Sequence, residues 1–194
     1  MKSISLVLLS VLIMVGCAQK SNITIIDGMA QGSTYHIVIA QDTTIGLRNA
    51  IDSLFEEIDN SVSIYNPNSL LSKINRGETD SLDSHLKICL HHSLEMSRLS
   101  DGFFDVTIMP LVRAYGFGRE KAIQSPNIDS LLQFVGYDKI AIEGNRLHRS
   151  DRRVQIDLNA IAQGYTVDKL AEVFDQRGIK NYLIEIGGEI ENWN

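Results

Sequence analysis

The sequence predicts an α+β fold of mixed helices and strands, on the strength of three observations. Short segments rich in β-branched residues alternate with longer segments whose apolar residues recur every three or four positions. These strands and helices do not follow the regular strand–helix–strand repeat of a doubly wound parallel sheet. The composition, 44% hydrophobic and 22% charged over 194 residues, is that of an ordinary globular protein.

The first sixteen residues are expected to be a signal peptide that lies outside this fold. Lys2 precedes an apolar run shorter than a bilayer-spanning helix, and the run ends at Met14-Val15-Gly16-Cys17. These residues resemble a bacterial lipobox, so we expect a lipid anchor with palmitate on Cys17 and a lipidated tether over residues 17–22. The protein would then be an exported lipoprotein on the periplasmic side of the inner or outer membrane. The alternative is a plain signal peptide followed by a chance cysteine.

The fold is expected to begin at residue 23 with a hairpin. Ile23–Ile26 and Tyr35–Ile39 are rich in β-branched residues and flank the segment GMAQGS, which contains two glycines. From Thr43 onward, apolar residues at spacings of three and four predict an amphipathic helix that ends before a turn at Asn66-Pro67-Asn68. A second helix is predicted over Asp83–Leu99, with Asp83 or Ser84 as its N-cap.

The second half of the chain is predicted to alternate short elements. The predicted elements are a strand over Phe104–Ile108 closed by Pro110, a helix over Ile128–Val135, a hairpin of Lys139–Ile142 and Arg146–Arg149, a strand over Val154–Leu158, a helix ending at Gly178, and a strand over Tyr182–Ile186 that stops at Gly187-Gly188.

Charge and cysteine content restrict the possible functions. Eighteen Lys and Arg against 24 Asp and Glu give a net charge of −6, so a nucleic-acid partner is not expected. Cys89 is the only cysteine besides Cys17, so no disulfide is expected, and Cys89 is predicted to be a buried hydrophobic residue. His91 and His92 are adjacent and point about 100° apart on a helix, which argues against a metal site and favours surface histidines.

The junction IDLNAIAQGYTVD is the segment best suited to chemistry. A helix N-terminus presents unpaired N–H groups and partial positive charge, so it can hold an anion such as phosphate. Asp157, at the end of the predicted strand, has the alternative role of capping the helix. The pair Gly187-Gly188, the loop SDGFFDVT and Tyr65 are each weak indications when taken alone.

Six motifs follow one another along the chain. They are GMAQGSTYHI, SVSIYNPNSLLSKIN, SDGFFDVTIMPLVRAYGFG, VGYDKI, IDLNAIAQGYTVDKLAEVF and NYLIEIGGEI. In this order, from about Gly28 to Ile190, they resemble the successive motifs of the ApbE family, the FAD:protein FMN transferases. The resemblance implies an ApbE-like flavin transferase fold, of which residues 23–194 would be the N-terminal portion, because family members continue well beyond GGEIENWN.

The activity implied by this resemblance is the Mg²⁺-dependent transfer of FMN from FAD to a Thr or Ser hydroxyl of a target protein, with release of AMP. The implied partners are FAD and exported or membrane flavoproteins, such as subunits of Nqr-type and Rnf-type redox complexes. The family's remaining metal ligands and catalytic groups lie in a C-terminal section that this sequence lacks. We therefore expect little or no activity from the chain alone.

The resemblance also implies which residues bind FAD and the metal. Tyr65 would stack on the isoalloxazine ring, Asp157 would bind the nucleotide, and the backbone carbonyl of Ala160 would face the metal. The other implied FAD-binding residues are Gln31, Phe103, Phe104, Asp105 and Gln163. Three of these depart from the family pattern: Gln31 replaces a usual Met, Phe103 a small residue, and Gln163 a common Lys that would place a positive charge beside the phosphates.

Two other functions remain open from the sequence. The first is a lipoprotein that binds FAD, or hydrolyses it to FMN and AMP, without transferring FMN. Release of AMP without an acceptor protein would indicate hydrolysis, and bound intact FAD would indicate a carrier. The second is a surface lipoprotein that acts as an interaction module, which an absence of FAD binding would indicate.

Overall fold

A four-stranded antiparallel sheet packed on two long helices forms the centre of the fold. The computed structural model describes residues 22–41, 45–117 and 121–193. The strands are β1 (Thr24–Ala30), β2 (Ser33–Ile39), β3 (Ile140–Glu143), β4 (Arg146–Arg149), β5 (Tyr182–Ile186) and β6 (Glu189–Trp193). The helices are α1 (Leu47–Val62), α2 (Leu70–Arg76), α3 (Ser84–Leu99), α4 (Met109–Ala114), α5 (Ile128–Leu132) and α6 (Asn159–Gln176), with a 3₁₀ turn at Tyr137–Lys139. The mixed α+β class predicted from the sequence is confirmed.

The central sheet has the strand order β1-β2-β5-β6, and every neighbouring pair is antiparallel. Its first hairpin is confirmed, but the strands are longer than predicted and only Gln31 and Gly32 form the turn. Both turn residues have positive φ angles, as a two-residue hairpin turn that matches the strand twist requires. The side chain of Gln31 is therefore held at a fixed place beyond the end of the sheet.

Two apolar cores lie along α1 and α6. One core joins the inner face of the sheet to Leu47 and Ile51 of α1 and to Leu170 and Phe174 of α6. The other core surrounds α3 and collects residues of α1, α2, the β3–β4 hairpin and the segment 154–158. Both helices contribute to both cores, so the end of α1 and the start of α6 are held in fixed relation to the sheet.

Some helix ends follow the predicted signals, but α5 ends at Leu132 rather than at Val135, and α2 and α4 were not predicted. Asp83 caps α3 by accepting a hydrogen bond from the Leu86 N–H at 2.8 Å, as predicted. Gly178 has a φ of 70° just after α6, and the Ile179 N–H donates to the Phe174 carbonyl at 2.9 Å, which closes that helix. Helix α1 begins at Leu47 rather than at Thr43, and residues 42–44 lie outside the described residues.

The strand predicted over Phe104–Ile108 is wrong. The Asp105 carboxylate accepts hydrogen bonds from the N–H and hydroxyl of Thr107, at 2.8 and 2.6 Å, and so folds the segment into a turn. Only Ile108 forms a β-bridge, a parallel one with Gln155. Pro110 then lies in the first turn of α4, where a missing N–H costs nothing.

The strand predicted over Val154–Leu158 is also wrong, because a side chain takes the place of a partner strand. Asn75 donates from Nδ2 to the Ile156 carbonyl and accepts at Oδ1 from the Ile156 N–H, both at 2.8 Å. On the other side, the Asp157 N–H donates to the Val106 carbonyl at 2.9 Å. The segment is extended and buried but lacks a continuous ladder.

The remaining predictions have mixed outcomes. The hairpin around residues 139–149 is confirmed as β3 and β4. The strand over Tyr182–Ile186 is confirmed as β5, and it ends at Gly187-Gly188 as predicted. These two glycines, with φ angles of 59° and 101°, form a turn into β6, a strand that was not predicted. Cys89 is buried and free, as expected, and burial raises the pKa of its thiol to about 12. No helix within the described ranges is long and apolar enough to cross a bilayer.

Candidate functional site

A cleft opens where the β1–β2 turn meets the end of α1 and the first turns of α6. Its volume is about 220 Å³, which is below the range of roughly 300–1,000 Å³ usual for whole small-molecule sites. The cleft therefore fits part of a ligand as large as a dinucleotide. Its lining residues are Gln31, Asp59, Val62, Ser63, Tyr65, Asn159, Ala162 and Gln163.

Tyr65 stands on a loop that hydrogen bonds hold in place. Ser63 Oγ accepts from the backbone N–H groups of Tyr65 and Asn66, at 3.2 and 3.1 Å. The Asn66 side chain donates to Asp59 Oδ2 at 2.9 Å, which ties the loop back to α1. The Tyr65 side chain is 52% exposed at the mouth of the cleft. An exposed aromatic ring on a fixed backbone is well placed to stack on a planar ligand.

Gln31 reaches into the cleft from the hairpin turn. Its backbone has a φ of 51°, a conformation that non-glycine residues seldom adopt. Its Nε2 donates to Thr166 Oγ1 at 2.6 Å, and Thr166 Oγ1 in turn donates to the Ala162 carbonyl at 2.7 Å. Its Oε1 is buried and has no hydrogen-bond partner within the part of the chain that the structure describes.

Gln163 forms part of the same wall and packs on the second hairpin turn. A Cβ atom placed on Gly187 would lie 2.6 Å from Gln163 Nε2, so the absence of a side chain there makes room for the Gln163 amide. The Gly187 N–H donates to the Thr34 carbonyl at 3.1 Å and holds this turn against β2. The two hairpin turns and α6 thus enclose one end of the cleft.

Asn159 and Ala160 begin α6, and Asp157 lies just before its N-cap residue, Leu158. Asp157 Oδ1 accepts from the Asn159 N–H at 2.8 Å, so it binds the first N–H of the helix from a position one residue before the cap. Burial raises the pKa of the Asp157 carboxyl above its usual value, and the hydrogen bond from Asn159 partly opposes this shift. Asn159 faces the cleft, whereas Asp157 does not line it.

Ala160 borders a second cavity on the other side of α6. This cavity has a volume of about 270 Å³ and is lined by His92, Ala160, Ile161, Gly164, Tyr165, Asp168 and Glu189. Three of these side chains are ionisable ligand types, but no three His, Cys, Asp or Glu residues in the described ranges are close enough to hold a metal ion. The described residues therefore do not form a complete metal site.

The histidines of α3 differ in their surroundings. His91 and His92 are exposed, as expected. The sequence also predicts a surface position for His85, the third histidine of this helix, and this is wrong. His85 is part-buried and shares a hydrogen bond of 2.8 Å with the Tyr165 hydroxyl. Burial raises the pKa of Tyr165, so its hydroxyl stays protonated at neutral pH.

The loop residues Phe103, Phe104 and Asp105 lie outside the cleft lining. Phe103 is 98% exposed, and Phe104 packs on the core around α3. Asp105 is occupied by structural hydrogen bonds, because its second oxygen accepts from the Tyr137 N–H at 2.8 Å in addition to the two bonds to Thr107. The structure gives Asp105 the role of joining two loops.

Of the residues implied to bind FAD, the structure brings Gln31, Tyr65 and Gln163 together in one cleft. Sequence reasoning missed three further polar residues of this cleft, Asp59, Ser63 and Asn159. Asp59 lies six residues before Tyr65 in the predicted amphipathic helix, and the other two lie inside the tyrosine and helix motifs. No pattern in the sequence showed that the two segments face each other.

Comparison with known proteins places these motifs in one family. The model of the ApbE family matches residues 31–194. The FAD:protein FMN transferase of Vibrio cholerae is 32% identical in an alignment that covers 94% of this chain and 58% of the relative. The enzyme of the same name from Haemophilus influenzae is 29% identical, with 90% of this chain and 55% of the relative covered.

Solved structures give the same result. The flavin transferase ApbE of Vibrio cholerae superposes with a TM-score of 0.83 at 30% identity, over 90% of this chain and 60% of that chain. The apo flavinyl transferase ApbE of Pseudomonas stutzeri has a TM-score of 0.82 at 25% identity, over 89% of this chain and 61% of that chain. The chain thus spans somewhat more than half the length of the relatives it matches.

Proposed function

This chain belongs to the ApbE family, and we propose that the protein is an FAD:protein FMN transferase. The proposed reaction moves the FMN half of FAD to a Thr or Ser hydroxyl of a target flavoprotein and releases AMP. One observation carries the proposal: the family match covers every residue that lines the cleft, and the cleft joins an aromatic side chain to a buried hydrogen-bond acceptor without a partner. The relatives bear the transferase name, and nothing favours a carrier or a hydrolase instead.

The residues of the cleft suit different parts of FAD. The Tyr65 ring would stack on the isoalloxazine, and Gln31 would form a hydrogen bond with the ligand. The N-terminal end of α6, which begins at Asn159 on the cleft wall, would place the positive end of its helix dipole near the pyrophosphate. The Asn159 N–H is already bound by Asp157, so the contribution there is the dipole rather than that N–H group. Gln163 adds no positive charge there, so the helix terminus and a metal ion would have to balance the phosphate charge.

Mg²⁺ dependence is part of the proposal. A hard cation on the pyrophosphate oxygens supplies charge stabilisation that this acidic chain, with its net charge of −6, does not. Ala160 would offer its backbone carbonyl, but no three potential ligand side chains in the described ranges group around it. The described residues supply at most part of a metal site, and loss of activity on addition of EDTA tests the Mg²⁺ requirement.

The proposed setting is the periplasmic face of the inner or outer membrane. A lipid on Cys17 would anchor the protein to the inner or outer membrane, where its targets would be flavoproteins such as Nqr-type or Rnf-type redox subunits. The lipobox-like residues 14–17 support this placement, and they lie outside the described part of the chain. We expect a Cys17→Ala variant to leave the membrane fraction and to lose incorporation of labelled palmitate.

Covalent flavinylation tests the function. Because the chain spans only 58% of the Vibrio cholerae relative, the assay uses a full-length form that carries the family's C-terminal section. It is incubated with FAD, Mg²⁺ and a candidate acceptor flavoprotein, and in-gel flavin fluorescence and AMP release are measured. The proposal predicts a fluorescent acceptor band and equimolar AMP, both lost with EDTA or when the acceptor Thr is replaced by Val. AMP released without any acceptor would instead indicate FAD hydrolysis, and bound FAD with no band and no AMP would indicate a carrier.

A further inference from the structure

In the hydrogen bond between Gln31 and Thr166 the Gln31 amide NH₂ is the donor, and a proton count agrees with this direction. A threonine hydroxyl has one proton to donate, and Thr166 Oγ1 donates it to the Ala162 carbonyl at 2.7 Å. The group of Gln31 that faces Thr166 must therefore be the donor, which is the NH₂ at 2.6 Å. The opposite orientation would set the Gln31 carbonyl oxygen against a hydroxyl that has no proton left to give.

A consequence follows for the other end of the same amide. With Nε2 held by Thr166, Oε1 points the other way, and there it is buried without a partner within the described residues. A buried acceptor without a hydrogen bond is destabilising, and native proteins rarely keep one without a use. Gln31 also tolerates a left-handed backbone, with a φ of 51°, to keep its side chain at this place.

We propose that Thr166 is a positioning residue that fixes the Gln31 amide, so that Oε1 accepts a hydrogen bond from an N–H or O–H group of the ligand in the cleft. This inference rests on the proposed function, since it concerns recognition of FAD. It is particular to this chain, because Gln31 stands where a Met is usual in the family, and a Met offers no comparable acceptor.

A ligand donor reaches Oε1 only when a neighbouring side chain of the cleft moves aside, because Oε1 is buried. Gln163 is suited to this movement. It lies on the same wall, and its amide makes no hydrogen bond to any other residue that the structure describes, so no bond has to be broken. Because moving the Gln163 amide costs little, the site can open as the ligand enters.

Titration of the protein with FAD, followed by quenching of flavin fluorescence, tests the inference. The variants are Gln31→Met, Thr166→Val and the double variant, with Thr166→Ser to restore the hydroxyl. Gln176→Met and Thr34→Val, on exposed positions, are the matched controls. Thermal unfolding of each variant shows whether it folds.

The expected results follow from a single shared hydrogen bond. Gln31→Met and Thr166→Val each weaken FAD binding roughly three- to tenfold, the effect of one neutral hydrogen bond. The double variant is no weaker than either single variant, and Thr166→Ser recovers the affinity. Repeating the titration with riboflavin and, by calorimetry, with AMP shows which half of FAD carries the donor, since only that half should respond to Gln31→Met.

Three results would overturn the inference. Wild-type affinity in Gln31→Met would mean that no ligand donor uses Oε1. A loss in Gln31→Met with none in Thr166→Val would remove the positioning role of Thr166, and additive losses would show two independent effects. No FAD binding by the wild-type chain or by a full-length form that carries the family's C-terminal section would overturn the proposed function itself, which separates that failure from the others.

Discussion

Asp157 shows how one residue can serve the fold at a cost that depends on pH. Its carboxylate accepts a hydrogen bond from the Asn159 N–H, the first of α6, yet burial raises the pKa of that carboxyl. The folded state then binds the proton more tightly than the unfolded state. Stability therefore falls as pH rises from the unfolded pKa, about 3.9, through the raised folded pKa. Above that window the cost of the buried charge is fully present.

Replacing Asp157 by Asn should remove the free-energy cost of burying its charge and keep the hydrogen bond from the Asn159 N–H. The amide oxygen can still accept from the Asn159 N–H, and it carries no charge to bury. We expect Asp157→Asn to have a larger free energy of unfolding than the wild type at pH 7, with the difference shrinking toward about pH 4. Urea unfolding at both pH values measures it.

The exposed substitution Glu57→Gln on α1 is the control, and we expect it to stay within about 0.5 kcal/mol of the wild type at both pH values. A loss of stability in Asp157→Asn at pH 7 would contradict the argument, because it would show that the charged form is the preferred one in the folded state.

The residues of the cleft illustrate what a sequence can predict at this scale. Gln31, Tyr65 and Gln163 were implied by motifs, and the structure brings them into one cleft. Thr166 was not singled out, because its role depends on a contact across 135 residues of chain that no local pattern encodes. The assignment of FAD-binding roles to Phe103, Phe104, Asp105 and Asp157 stays a prediction.

Among the secondary-structure elements, the segment 154–158 is held by the side chain of Asn75 where a partner strand was expected. A strand was predicted over Val154–Leu158, where apolar and polar residues alternate. A single extended segment that buries every second side chain has the same pattern. The sequence could not show the hydrogen-bond partner of this segment. That partner is the side chain of Asn75, which binds both the N–H and the carbonyl of Ile156. The extended segment then leads directly into α6 and fixes where the cleft wall begins.

Removing the Asn75 side chain should be costly. Asn75→Ala leaves the buried N–H and carbonyl of Ile156 without partners, and each such loss costs about 1–3 kcal/mol. We expect a total loss of about 2–5 kcal/mol in the free energy of unfolding, measured by urea denaturation. Asn49→Ala, at an exposed position of α1, should change it by less than about 1 kcal/mol. Equal effects of the two substitutions would refute the role of Asn75.

The turn between β5 and β6 offers a test that separates stability from binding. Gly187 and Gly188 both have positive φ angles, so Ala at either position costs about 1 kcal/mol or more of backbone strain. Only at position 187 does the added Cβ meet the Gln163 amide, at 2.6 to 2.8 Å, whereas at 188 it meets nothing within 4 Å.

We therefore expect only Gly187→Ala to change the affinity for FAD, because it displaces the Gln163 amide on the cleft wall, and Gly188→Ala to leave the affinity near that of the wild type. Fluorescence titration measures affinity, and thermal unfolding measures the loss of stability that the two variants share. Matching affinities in the two variants would show that the position of Gln163 does not matter.

For the whole molecule, α1 and α6 are the elements that connect fold and site. Each helix lies in both cores, and the cleft forms where the end of one meets the start of the other. The α+β class and some helix ends followed from periodicity and caps, which act within a few residues. The order β1-β2-β5-β6 joins strands about 140 residues apart, and local patterns carry no such information.

The central claim is that this cleft binds the flavin part of FAD, and a titration of the wild-type protein and Tyr65→Ala with FAD tests it most directly. Both are titrated with and without Mg²⁺, and quenching of flavin fluorescence is measured. The account predicts saturable quenching by the wild type and its loss in Tyr65→Ala, since the stacked ring is the quencher. Quenching of equal strength and affinity in both proteins would place the flavin elsewhere and contradict the account.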